Sequence, residues 1–74
     1  EQLPILFPNP VQDYLQIDSQ QKYHYRVINI IGQEVLQGEI SPQGSINFSK
    51  LTQGLYIIQF FDGAKTFSKK IIKN

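Results

Sequence analysis

Gly54-Leu55-Tyr56-Ile57-Ile58-Gln59-Phe60-Phe61-Asp62, followed by Gly63, is the stretch on which the fold turns. In an extended chain successive side chains alternate in direction, so Tyr56, Ile58 and Phe60 line one side and Leu55, Ile57 and Phe61 the other. A strand that is apolar on both faces reads as a central strand, buried at least partly on both sides. Asp62-Gly63 reads as a tight hairpin turn into a second strand over residues 64–73, in which Phe67 and Ile71 share a face.

Upstream of this hairpin, turn signals recur at short intervals: Pro8-Asn9-Pro10, residues 18–21, residues 29–32, residues 41–44 and residues 52–54. Each combines Gly, Pro, Asn, Asp or Ser for local backbone reasons. The segments between them alternate. Leu15 and Ile17 alternate with Gln16 and Asp18. Tyr23, Tyr25 and Val27 oppose His24 and Arg26, and Ile46 and Phe48 point one way. Asn29-Ile30-Ile31-Gly32 fits a type I turn with Gly32 in the left-handed position, a common hairpin closure. Pro4 removes a ladder donor from the first segment, which is therefore expected at a sheet edge. The expected strands span residues 3–7, 14–18, 23–30, 33–40, 45–48, 54–62 and 64–73. Short strands with turns every 8–12 residues predict an all-β fold, a small seven-stranded antiparallel immunoglobulin-like sandwich.

Composition supports this reading. The chain has 74 residues, expected to form a single domain over residues 1–74, and no Cys, so apolar packing alone must hold it. Eleven Ile and nine aromatics against one Ala (Ala64) and no Met favour a pleated surface over a helix. The net charge of +1 argues against a nucleic-acid footprint spread over the surface. No apolar run approaches the roughly 20 residues of a membrane-spanning helix, and no signal peptide is visible. A start at Glu1 without Met fits a processed or excised piece of something longer.

Catalytic equipment is missing from the pattern. His24 is the sole histidine and sits on the face opposite the inferred core, so a converging Ser-His-acid set has no local support. Asp13, Asp18, Glu34, Glu39 and Asp62 fall near strand ends and turns, and none has zinc or calcium-loop spacing. Single, scattered glycines make no phosphate cradle. No enzyme activity, cofactor or metal is expected. An aromatic stacking platform for sugars or single strands would need exposed rings; most rings fall at inward positions, with Tyr23 and Phe61 the ones expected to reach the surface.

Charge is distributed unevenly. Lys65, Lys69, Lys70 and Lys73 lie in the last ten residues with no acid among them. One reading is a charged edge that discourages pairing with other chains. The other is a docking strand, recognised through charge and an unpaired backbone edge, with the Lys side chains solvated and Ile71 or Ile72 anchoring it to the sheet. The chain is expected to be monomeric, with edge-strand pairing as the route to self-association.

Four motifs occur in a familiar order. Leu6-Phe7-Pro8-Asn9-Pro10-Val11, the turn segment Ile28-Asn29-Ile30-Ile31-Gly32-Gln33-Glu34-Val35, the Leu-x-x-Gly-x-Tyr stretch from Leu51 through Gly54 and Tyr56 to Ile58, and Lys69-Lys70-Ile71-Ile72-Lys73 together resemble the type A C-terminal sorting domain of the type IX (Por) secretion system of Bacteroidetes. Phe7 stands where the family often has Tyr.

The resemblance implies an immunoglobulin-like domain that follows an N-terminal cargo domain and folds in the periplasm. It also implies recognition by the type IX outer-membrane translocon and its shuttle components, and display at the cell surface or release. Removal by a sortase-like cysteine peptidase would follow, with cleavage near or before Glu1. Within it, the strand from Lys69 to Lys73 is the expected recognition element. Pro8, Asn9 and Pro10 are expected to shape the first turn, and Gly54 to meet a positive φ or a close approach. Tyr56 is expected to be buried, with its hydroxyl on a neighbouring backbone group. The alternative is a fibronectin III-like or carbohydrate-binding sandwich, since Leu-x-x-Gly-x-Tyr also occurs in such folds. The short chain and lack of Trp weigh against it.

Overall fold

The computed structural model describes residues 4–74 and contains seven strands in two antiparallel sheets. They are β1 (Ile5–Phe7), β2 (Tyr14–Asp18), β3 (Tyr23–Ile28), β4 (Glu34–Ile40), β5 (Ser45–Asn47), β6 (Gly54–Phe61) and β7 (Thr66–Lys73). Leu3, expected to begin the first strand, lies outside the described residues. One sheet has the order β1-β2-β5 and the other β4-β3-β6-β7, so β6 is central, as its sequence predicts. Facing sheets make this an immunoglobulin-like sandwich.

The core is where the alternation places it. Leu15 and Ile17 of β2 and Ile46 of β5 meet Tyr23 and Val27 of β3, Tyr56, Ile58 and Phe60 of β6, and Ile71 of β7. Phe48 closes the layer between them. Full burial of such side chains contributes roughly 1.5–3 kcal/mol each before conformational entropy is counted. Tyr23 contacts Phe60 and Phe67 edge-on at centroid distances of 5.6 and 6.1 Å. Tyr23 is therefore buried rather than exposed, whereas Phe61 reaches the surface as expected.

Two local expectations change. β6 is not covered on its second face: Leu55, Ile57 and Phe61 are all exposed, because no third layer packs there among the described residues. The β6–β7 connection is also longer than a two-residue turn. Asp62 N–H donates to the Lys65 carbonyl at 3.2 Å, and Asp62 Oδ1 accepts from the amides of Ala64 and Lys65 at 2.9 and 2.8 Å. The Asp carboxylate thus organises a four-residue loop, with Gly63 at φ 99°, and delays β7 to Thr66. At the other hairpin β3 ends at Ile28, after a register shift between Val27 and Ile28, and β4 starts at Glu34.

Candidate recognition surface

β7 is an edge strand, and its period-two geometry sorts the expected recognition residues between faces. Lys70 and Ile72 lie on the outer face and are exposed; Lys69 shares the side of Ile71, opposite Ile58, yet is also exposed, and Ile71 is buried in the core. Lys73 departs from the expectation that the lysines stay solvated. It falls on the Ile71 side, is only 9% exposed, and its Nζ donates to the main-chain oxygen of Asn74 at 2.9 Å. Residue 73 is in phase with Ile71 and so lies on the inner side of the strand. A long aliphatic stem lets a Lys fill that position while its ammonium reaches an acceptor.

The edge of this strand is not bare along its whole length. Val11 lies beside Lys73 in a parallel bridge: Val11 N–H donates to the Ile72 carbonyl at 2.8 Å, and Asn74 N–H donates to the Val11 carbonyl at 2.9 Å. One turn of chain earlier, Asn9 uses its side chain as a substitute peptide group. Its Oδ1 accepts from Ile72 N–H at 3.0 Å and its Nδ2 lies 3.4 Å from the Lys70 carbonyl. Pro8 and Pro10 flank Asn9 and fix φ on either side of it, and the Phe7-Pro8 and Asn9-Pro10 peptides are both cis. Asn9 therefore does more than favour a tight turn: it clasps the first segment to the last strand across 63 positions of sequence. The expected unpaired edge is accordingly restricted; among the described residues no strand pairs with β7 ahead of Lys70 on that side.

The end of the sandwich next to this clasp is held by two further devices. Gly54 enters β6 at φ 151°, with nothing within 4 Å of where a Cβ would stand, so backbone conformation and not close approach explains the glycine. Two residues on, buried Tyr56 donates its hydroxyl to the Thr52 carbonyl at 2.7 Å, closing a corner onto the backbone four residues upstream. Its ring meets Phe48 edge-on at 6.1 Å. Across from this corner, Gly32 takes φ 89° and donates to the Asn29 carbonyl at 3.0 Å. Asn29 Oδ1 accepts from the amides of Ile31 and Gln33 at 3.1 and 2.9 Å. The turn is tied down by its own Asn, and Ile30 and Ile31 project from it. Between turn and corner lies a groove of about 410 Å³ lined by Ile31, Val35, Lys50, Leu51 and Leu55 among others. Neither Ile30 nor Ile31 was singled out by the sequence pattern; two adjacent Ile at the centre of a turn were the available signal.

Among the described residues, two ion pairs are formed. His24 Nε2 lies 3.2 Å from Glu39 and Arg26 lies 3.8 Å from Glu34, both pairs largely solvated. Among the described residues, no group of three or more His, Cys, Asp or Glu side chains is placed to hold a metal ion. Burial raises the phenol of Tyr25 above its ordinary range, and the amides of Lys65 and Ala64 lower the carboxyl of exposed Asp62. The arrangement offers shape, apolar surface and cations. No helix among the described residues is long and apolar enough to cross a membrane.

A family model described as the secretion system C-terminal sorting domain matches residues 5–74. No curated protein matches the chain.

Proposed function

The chain belongs to the secretion-system C-terminal sorting domain family, of the type IX class, and from that premise we propose that it works without catalysis as a folded address read by the outer-membrane translocon and its shuttle components. Membership implies export to the cell surface or secretion, contact with the type IX machinery, and cargo on the N-terminal side. In the reading advanced here, residues 1–74 are a single domain that passes through the periplasm folded and is removed at the surface by a sortase-like cysteine peptidase, cut near or before Glu1.

The observation that supports this most is the fixed presentation of β7. Ile71 and Lys73 are packed inward and the Asn9–Val11 clasp holds the strand's last residues, while Lys70 and Ile72 face outward and Lys69, on the Ile71 side of the strand, stays exposed. A disordered tail would have to be ordered on binding at an entropic cost; a clasped strand offers its side chains already placed. Lys69, Lys70 and Ile72 are the side chains read by the partner, and Ile71 and Lys73 set their phase. The experiment is fusion of residues 1–74 to a periplasmic reporter in a type IX-competent strain. Surface display or release is expected, and retention of a folded, stable fusion in the periplasm overturns the reading.

A further inference from the structure

We propose that the groove between the 29–33 turn and the Gly54 corner is the docking site for an apolar protein segment that carries carboxylates; this rests on the sorting reading and names the surface and partner chemistry it uses. Ile30 and Ile31 are 77% and 73% exposed, the most exposed large apolar side chains of the described chain, at turn positions that polar residues or glycine ordinarily fill. They are continuous with the outer face of the larger sheet. Leu55 lines the same groove and is the cross-strand partner of exposed Ile72. Ile57 follows on the same face of β6, opposite half-buried Ile28 of β3. An apolar patch running from a turn across three strands, with a recess of about 410 Å³ at its turn end, marks a binding surface.

The rim settles what kind of occupant fits. Lys50 lines the groove, and Lys70 stands opposite Ile57 on β7. Neither has a carboxylate partner among the described residues, whereas nearby Glu34 is engaged by Arg26 at 3.8 Å. The patch thus presents uncompensated positive charge beside apolar surface, and a partner segment bearing Asp or Glu complements it. A second copy would bring the same two lysines toward its own. A recess with a raised Ile30-Ile31 rim suits a protruding protein segment better than a flat bilayer.

The test uses the reporter fusion with four variants and checks each for an unchanged thermal midpoint. Ile30→Ser with Ile31→Ser should lower export at least tenfold, as should Lys50→Glu with Lys70→Glu. Lys50→Arg with Lys70→Arg, which keeps the charge, should hold export within twofold of wild type. Ile5→Ser with Tyr14→Ser, exposed apolar positions on the other sheet, should leave it unchanged. Wild-type export together with undiminished export of the Ile30/Ile31 variant overturns the groove and leaves the sorting reading standing; failure of the wild type itself overturns both. Purified chain mixed with phosphatidylglycerol–phosphatidylethanolamine vesicles should not sediment with them. Co-sedimentation abolished by the Ile30/Ile31 substitutions would assign the patch to lipid and overturn the protein partner.

Discussion

On one face of β6, Tyr56, Ile58 and Phe60 are 5%, 0% and 0% exposed; on the other, Leu55, Ile57 and Phe61 keep 41%, 38% and 46% of their surface in water. The two faces are nearly equal in apolar content and opposite in circumstance. The inner face meets β2 and β5 of the second sheet across the core. The outer face is covered by no further layer among the described residues. Apolar character on both sides of a strand therefore reports two demands, one from the fold and one from a surface use, and hydropathy alone does not separate them.

Substitutions on the two faces should differ sharply. Tyr56→Ala removes a buried ring and its bond to Thr52, and should cost ~3–5 kcal/mol in urea denaturation, enough to unfold much of a domain this small. An unchanged denaturation curve would erase the distinction between the faces. Asn9→Ala leaves both faces and the Val11 bridge intact but takes the side-chain acceptor from the Ile72 amide, and should cost ~1–2 kcal/mol. Its signature is faster hydrogen exchange at the Ile72 amide, with the Ile58 amide in the core much less affected. Leu55→Ser, on the outer face, should stay under ~1 kcal/mol while changing export. A loss as large as that of Tyr56→Ala would mean that Leu55 is structural.

Lys69→Gln with Lys70→Gln should shift stability by no more than ~0.5 kcal/mol, since both side chains are solvated and no carboxylate pairs with them among the described residues. Reduced export at an unchanged midpoint would separate recognition from edge protection. The smallest effect concerns the loop beyond β6. Asp62 has its pKa lowered from 3.8 by the amides of Lys65 and Ala64, so its contribution is complete above the unfolded value and is lost as pH falls through the lower folded value. Asp62→Asn keeps an acceptor oxygen and removes the charge. Its thermal midpoint should therefore fall less steeply than wild type on acidification below pH 3.8.

The strands and the core were legible because alternation is local and each turn carries its own chemistry, as at Asn29 and Gly32. Tyr56 was legible through its position after Gly54, since a buried phenol requires a hydroxyl partner. Three features were not. Lys73 faces inward because the phase set by Phe67 and Ile71 overrides the preference of a charged residue for water. The open outer face of β6 depends on how many layers the chain can build, which no window of sequence states. The Asn9 contact joins positions 63 apart, and short polar turn residues look the same whether they cap their own loop or a distant strand. Most of the proposed recognition surface belongs to this unread class: Ile30 and Ile31 stand out only once the turn is seen to project them beside Leu55.

The parallel bridge between Val11 and Lys73 also has a mechanical meaning. The two segments run in the same direction, so tension drawing the chain upstream of Asn9 away from the last residue acts along the strands in opposite senses. The bonds from Val11 to Ile72, from Asn74 to Val11 and from Ile72 to Asn9 then bear load together in shear, and cannot open one after another as a peeled hairpin does. A cargo pulling on one end and a receptor holding the other would load this one clamp, and its bonds would have to fail together.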